Sequence, residues 1–234
     1  FSYTESRGIA VKNVSGYSTQ AVAQHTFSLL FYLLEHMNYY DNYVKKGTYL
    51  ESSSFTHFDR KFEQLSELTW GIVGLGAIGK RVAQIAKAFG ARVIYYSTSG
   101  NNHDSEWEEV SLNDLLKQSD IISVHAPLTP QTEGMFCEAA FRQMKPTAYF
   151  INVGRGPIVV EKDLKEALLQ GWIAGAGLDV LSVEPMTKEN PLYEIKDSDR
   201  LVITPHIAWA ATSSRKKLME LVYENIRTFL NENQ

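Results

Sequence analysis

The chain has 234 residues, 44% of them hydrophobic and 21% charged, the proportions of an ordinary globular protein that can bury one large core with a smaller attachment. Its net charge of -4 offers no electrostatic footprint for nucleic acid, so small molecules and other copies of the chain are the expected partners. The single cysteine, Cys137, excludes an intrachain disulfide and any cysteine-built metal site; no metal is expected, and a reducing compartment, the cytoplasm by default, fits best. The most apolar run, Phe27 to Met37, is interrupted by Ser28, Glu35 and His36 and is too short to span a bilayer. No basic segment opens the chain, so neither a membrane span nor a targeting signal is expected.

In chain order, Ser18 to Tyr40 reads as one long helix with Val22, Leu29, Leu30, Leu33 and Met37 on one side. Glu51 to Phe58, rich in Ser with flanking aromatics, reads as a surface loop. Short β-rich runs then alternate with helical patterns. Strands are expected at Thr69–Val73, Arg92–Tyr96, Ile121–His125, Ala148–Asn152, Gly175–Asp179 and Leu201–Thr204. Helices fall between them at Ile78–Phe89, Leu112–Gln118 and Glu161–Leu169, with Ser111 and Asp114 forming a capping-box start. Leu218, Val222, Ile226 and Phe229 stripe a terminal helix at three- and four-residue spacing. This alternation specifies an α/β protein with a doubly wound parallel sheet.

Gly74-Leu75-Gly76-Ala77-Ile78-Gly79 follows an apolar strand and opens a helix. The first glycine suits a tight turn, the second lets backbone approach phosphate, and the third permits close helix–strand packing. The helix N-terminus then offers unpaired N–H groups to a pyrophosphate. A turn with chance glycines or a methyltransferase loop are the competing readings; the third glycine and the length of the sheet favour a dinucleotide and a Rossmann domain.

In an open parallel sheet, ligands bind outside the carboxyl ends of the strands. The loops that leave those ends carry Ser97, His125-Ala126-Pro127, Gly154-Arg155-Gly156, Asp179 and His206, with Glu184 in the loop past Asp179. Taken singly, Arg155 can cap a turn, His206 can be a satisfied core histidine, and Glu184 can be a solvated carboxylate. Together they place an Arg, an Asp and a His around one site, and the glycines flanking Arg155 suggest backbone that passes close to a ligand.

"INVGRGPIVVEKDLKEAL" (Ile151–Leu168), "GAGLDVLSVEP" (Gly175–Pro185), "ITPHIAWA" (Ile203–Ala210) and the glycine loop resemble the D-isomer-specific 2-hydroxyacid dehydrogenases. "RGIAVKNVSGYSTQAVAQHT" (Arg7–Thr26) is similar to the entry into that family's cofactor domain. The resemblance covers nearly the whole chain. It implies that Arg155 clamps the substrate carboxylate, that His206 is the acid/base and Glu184 its carboxylate partner, and that Asp179 lies near the nicotinamide. It implies cofactor contacts at Gly74, Gly76, Ala77, Ile78, Gly79, Ser97, Thr98, Pro127, Thr132, Val153, Gly154, Arg155, Asp179, His206 and Ala208. Trp209 is similar to members acting on hydroxypyruvate or glycerate, and such members are commonly homodimers through the cofactor domain.

Two departures from the pattern qualify these expectations. Family members carry a flavodoxin-like substrate lobe built mainly from residues before the cofactor domain, and this chain begins where that lobe ends. Residues 8–207 are expected to form the dinucleotide-binding domain with its leading helix. Residues 1–7 and 208–234 are expected to be the tail of, and the return helix to, a discontinuous substrate lobe; alone, such a piece is expected to be inactive. Ser97 stands where NAD-preferring members have an acidic residue, and Thr98 to Asn102 carries neither Arg nor Lys, so weak discrimination between NAD and NADP is expected. A dinucleotide-sensing binding protein like the family's corepressors is the alternative. A formate dehydrogenase is disfavoured, because that relative pairs its histidine with glutamine.

Overall fold

A computed structural model of the chain describes residues 2–232. The central element is a seven-stranded sheet, all parallel, built from β1 (Thr69–Val73), β2 (Arg92–Tyr96), β3 (Glu108–Glu109), β4 (Ile121–Val124), β5 (Tyr149–Asn152), β6 (Gly175–Leu178) and β7 (Leu201–Ile203). The strand order is β3-β2-β1-β4-β5-β6-β7. The chain therefore runs outward from β1 in one direction, then returns to β4 and runs outward in the other. The reversal opens a crevice at the carboxyl ends of β1 and β4, the place where such sheets bind ligands.

The strands are buried on both faces, as a parallel sheet requires, and the expected apolar runs supply that burial. One face is covered by α2 (Thr19–Leu34) and α4 (Ala77–Ala88), which pack Leu29, Leu30, Leu33, Val82, Ala83 and Ala86 against Trp70, Ile72 and Ile151. The other face is covered by α5 (Leu112–Gln118), α6 (Glu138–Phe141) and α7 (Glu161–Gln170), with Leu115, Leu116, Phe141, Leu164 and Leu168 against Ile122, Phe150 and Leu178. Burying each large apolar side chain stabilises the fold by roughly 1.5–3 kcal/mol, and both helical layers depend on that contact. Ser111 caps α5 as expected, its hydroxyl accepting from the Asp114 N–H at 3.1 Å.

Three departures have physical causes. The long helix expected from Ser18 to Tyr40 breaks in two: α2 ends at Leu34, and α3 (Met37–Lys45) restarts after His36, whose φ of 51° is left-handed. The break turns Met37 away from the core and leaves it 49% exposed. Strand β3 went unanticipated because it consists of two exposed glutamates, which pair with Ile94 and Tyr95 of β2. A short helix, α1 (Ser2–Ser6), precedes α2. The terminal helix, α8 (Thr212–Glu232), is present, but its apolar stripe is largely uncovered, with Ile226 55% exposed. The loop at Glu51–Phe58 lies on the surface after a single 3-10 turn, Thr48–Glu51.

Candidate active site

The glycine loop joins β1 to α4. Gly74 has φ +92° and a Cβ there would lie 2.9 Å from the Ala126 backbone, so only glycine lets this turn abut the end of β4. At Gly79 a Cβ would lie 2.2 Å from the Gly74 carbonyl oxygen, which confirms the helix–strand packing role. Gly76 differs from both: a Cβ would meet nothing within 4 Å and would project into open space at the head of α4. No side chain caps the first turn of α4, leaving the N–H groups of Ala77, Ile78 and Gly79 for an anion. An open cradle beside an uncapped helix N-terminus fits a pyrophosphate.

The catalytic candidates surround the same sheet ends. His206 Nδ1 lies 2.7 Å from Glu184 Oε2, while Glu184 Oε1 accepts from the Leu181 N–H at 2.8 Å. Partial burial works to raise the Glu184 pKa, but the hydrogen bonds from the His206 ring and Leu181 outweigh it and hold the carboxyl below its usual range. Glu184 is thus an anion aimed at Nδ1. The histidine side chain remains 44% exposed, and no hydrogen bond occupies Nε2 among the described residues.

A second histidine at a strand end has the opposite character. His125 hydrogen-bonds Ser123 Oγ at 2.9 Å, and that hydroxyl also accepts from Trp70 Nε1 at 2.8 Å. Burial pushes the His125 pKa down to about 3, so it stays neutral and is no proton donor at ordinary pH. The two environments separate a buried, neutral histidine from a half-exposed one paired with a carboxylate.

Asp179 is built into the backbone on which the histidine sits. Only 1% exposed, its carboxylate accepts from the backbone N–H groups of Ile207 at 2.9 Å and Ala208 at 2.8 Å, and from Thr204 Oγ1 at 2.5 Å. His25, on α2, completes the network: its Nε2 is 2.9 Å from Thr204 Oγ1 and 3.4 Å from Asp179 Oδ1. The His206 N–H donates to the Asp179 carbonyl at 2.9 Å, and His206 itself sits at φ 55°. Asp179 therefore clamps the loop that presents the histidine. His25 could not be found from sequence, because nothing in the helical pattern marks it as facing β7.

Burial alone would raise the Asp179 pKa, but hydrogen bonds from His25, Thr204, Ala208 and Ile207 outweigh it and hold the carboxyl below its ordinary 3.8. A depressed native pKa contributes stability in full above the unfolded value and loses it as pH falls through the native one. Asp179→Asn is accordingly expected to lower the melting temperature most near neutrality and progressively less below about pH 4. Paired thermal scans check this; a deficit that does not change between about pH 3 and 7 would show that the charge is not the clamp.

Arg155 is exposed, and its Nη1 donates to the Gly154 carbonyl at 2.7 Å, so the guanidinium rests on its own loop. Asn152, fully buried, braces that loop by accepting from the Gly154 N–H and donating to the Arg155 carbonyl, each at 3.0 Å. Of the two flanking glycines, Gly156 answers to packing within the chain. A Cβ on Gly156 would lie 1.9 Å from the Leu181 carbonyl carbon, so this glycine admits the backbone leading to Glu184 rather than a ligand. The same contact brings the arginine loop beside the Glu184 segment, although no hydrogen bond joins Arg155 to Glu184 or His206 among the described residues.

Of the other expected cofactor residues, Pro127, Val153 and Ala208 lie in the loops at these strand ends. Thr132 is 1% exposed, and its hydroxyl donates to the Pro127 carbonyl at 2.7 Å, fixing its own loop. Ser97 is 6% exposed, and its hydroxyl accepts from the Asn102 N–H at 3.4 Å; Thr98 beside it is half-buried. A cavity of about 600 Å³ opens on another side of His206 and Glu184, toward Met186, Lys196 and Ile203, and takes no lining from the glycine loop. No described helix is long and apolar enough to cross a membrane, and no cluster of described residues could hold a metal ion.

Residues 27–208 match the family described as the D-isomer specific 2-hydroxyacid dehydrogenase, NAD binding domain. The chain is 37% identical over 226 residues to a hydroxypyruvate reductase of Blautia hydrogenotrophica, covering 96% of this chain and 69% of that protein. Among solved structures, it is similar to the D-lactate dehydrogenase of Aquifex aeolicus complexed with NAD and lactic acid: TM-score 0.88, 31% identity, over 99% of this chain and 72% of that one. An acyclic imino acid reductase in complex with NADPH and D-Arg superposes with TM-score 0.88 at 35% identity, over 99% of this chain and 71% of that one. With a glycine-cradled helix N-terminus at the sheet's switch point and a histidine–carboxylate pair at the same edge of the sheet, the chain belongs to the D-isomer-specific 2-hydroxyacid dehydrogenases, NAD(P)-dependent oxidoreductases, and carries their NAD-binding domain.

Proposed function

We propose that the chain is the cofactor-binding and proton-transferring part of an enzyme that reduces a 2-oxo acid of the hydroxypyruvate or glyoxylate type to a D-2-hydroxy acid, and runs the reverse reaction. The observation that carries this reading is the 2.7 Å contact between His206 Nδ1 and Glu184 Oε2, past the carboxyl ends of β7 and β6, the same edge of the parallel sheet from which the glycine loop leaves β1. Gly74, Gly76 and Gly79 with the first turn of α4 would hold the pyrophosphate. Bound there, a dihydronicotinamide supplies the hydride that the C2 carbonyl accepts.

The chain's own residues do the rest. Glu184, an anion, accepts from Nδ1–H and fixes the ring. Nε2, unoccupied by protein, delivers a proton to the oxygen on which negative charge develops, and takes it back in the oxidative direction. Arg155 leaves the Gly154 carbonyl to bind the substrate carboxylate, for which its planar fork supplies two parallel donors. Asp179 holds the histidine loop in register throughout.

A second lobe completing the substrate site is part of the same proposal. Its support is the uncovered apolar stripe of α8, where Val222, Ile226 and Phe229 line an open groove with Ala10 and Val14. A homodimer is proposed through the segment after α3, where Leu50 is 89% and Phe55 91% exposed, areas a monomer gains nothing by leaving in water. The cytoplasm is the proposed location. Glu184→Gln keeps an acceptor at Nδ1 but removes the charge. It is expected to lower kcat by roughly 10- to 100-fold, the scale for an outer-sphere partner that orients an imidazole, without changing the dissociation constant of NADH. Steady-state kinetics beside a fluorescence titration test this, and unchanged kcat would remove Glu184 from the mechanism.

A further inference from the structure

The loop after β2 lacks both the acidic residue that favours NAD and the Arg or Lys that favours NADP, yet two opposite charges meet beside it from elsewhere. Lys80 lies one residue past Gly79, in the opening turns of α4, and its Nζ is 2.8 Å from Asp104 Oδ2. Asp104 stands at the far end of that loop and is fixed there. Its N–H donates to Tyr95 Oη at 3.0 Å, and its Oδ1 accepts from the Glu106 N–H at 3.0 Å. Tyr95 belongs to β2 and donates in turn to Glu109 at 3.1 Å, so the carboxylate is anchored to the sheet through one phenol.

The loop between is curled on itself. The Gly100 N–H donates to the Ser97 carbonyl, and the Asn102 N–H to the Ser97 hydroxyl, each at 3.4 Å. Ser97, nearly buried, is therefore turned into its own loop, and the charged groups at this end of β2 are brought by Lys80 and Asp104. The helix explains why the lysine arrives here. Lys80 and Lys87 lie two turns apart on one face of α4, and Lys87 likewise reaches forward to Glu106 at 3.2 Å. Gly79 and Val82 face the sheet, so the lysine row is directed along the flank of α4 toward the segment that follows β2.

A dinucleotide with its pyrophosphate on the head of α4 has its adenosine ribose at the end of β2, where the 2′ position is read. We infer that Lys80 and Asp104 together read that 2′ position: Lys80 is the cation that receives a 2′-phosphate, and Asp104 is the carboxylate that competes for it. The inference deepens the assignment of the dinucleotide site and rests on it. The Lys80 side chain is 47% exposed and that of Asp104 22%, so the ammonium is reachable without unfolding the loop. A 2′-phosphate carries close to two negative charges against one on Asp104, and can draw the ammonium across. With NAD the pair stays closed. Selectivity is weak in the unmodified chain because gaining the phosphate means giving up Asp104.

The test is a fluorescence titration of NADH and NADPH against the unmodified chain, Lys80→Met and Asp104→Asn at one ionic strength, with thermal scans to establish that each variant is folded. Lys80→Met is expected to weaken NADPH about tenfold and leave NADH within about twofold, the scale of one partly exposed charge-assisted hydrogen bond. Asp104→Asn is expected to tighten NADPH about tenfold by freeing the ammonium. Ratios of the two dissociation constants that stay within about twofold in both variants would overturn the inference. So would an Asp104→Asn that weakens NADH alone, which would put the carboxylate on the ribose hydroxyls. Binding of neither nucleotide by the unmodified chain would instead overturn the dinucleotide site itself.

Discussion

Replacing His206 by asparagine in the protein carrying both lobes leaves NADH binding within about twofold and lowers the rate of hydride transfer by roughly 10² to 10⁴, the loss expected for a positioned general acid. Asparagine is the suitable replacement because His206 sits at φ 55°, a conformation that asparagine adopts more readily than most residues. The clamp on that loop is also retained, since the Asp179 carboxylate holds the N–H groups of Ile207 and Ala208 and not the imidazole. A fall in rate therefore reports the missing proton and not a displaced loop. Turnover near the unmodified level would remove His206 from the chemistry. His125 would not inherit the role, because burial keeps its pKa at about 3.

Arg155→Met is the second large effect. Each charge-assisted hydrogen bond contributes roughly 1.5–3 kcal/mol, so loss of a two-pronged contact to the substrate carboxylate lowers kcat/KM by about 10²- to 10⁴-fold. The loss falls on KM for the 2-oxo acid, while the dissociation constant of NADH stays within about twofold, because the cradle at Gly76 and α4 is untouched. Arg155→Lys restores charge without the planar fork and is expected to recover only part of the deficit. The loop itself is braced by Asn152 and wedged at Gly156 against Leu181, neither of which depends on the guanidinium. An unchanged KM in Arg155→Met would place the substrate carboxylate elsewhere.

What could be read from residues alone was what backbone chemistry enforces. The strand–glycine–helix unit at β1 and α4 is legible because Gly74 and Gly79 answer to steric demands that no other residue meets. The buried strands are legible because a two-sided parallel sheet needs unbroken apolar runs. The break at His36 was hidden, since a left-handed turn there is made by a histidine and not a glycine. Strand β3 was hidden because two glutamates have no strand pattern apart from the β2 edge they pair with.

At the site, the pairing of His206 with Glu184 was legible and the supports around it were not. His206 and Glu184 meet as expected, but Asp179 grips the backbone at Ile207 and Ala208, a role that depends on where β6 ends relative to β7. Gly156 was misread as an approach to ligand because its neighbour, Leu181, is distant in sequence. Lys80 was passed over for a related reason. It meets Asp104 from the preceding helix, and only the direction of a side-chain row along α4 brings it beside the loop after β2.

These residues are proposed to hold a nicotinamide for hydride transfer to the C2 position of a small 2-oxo acid and to supply the accompanying proton. Incubating the protein carrying both lobes with NADH and hydroxypyruvate, and resolving the product on a chiral column, tests it most directly. The account predicts consumption of NADH in step with hydroxypyruvate and formation of D-glycerate, suppressed in His206→Asn. Saturable NADH binding without consumption against hydroxypyruvate, glyoxylate or pyruvate, the behaviour of a dinucleotide sensor, would contradict it, as would an L-configured product.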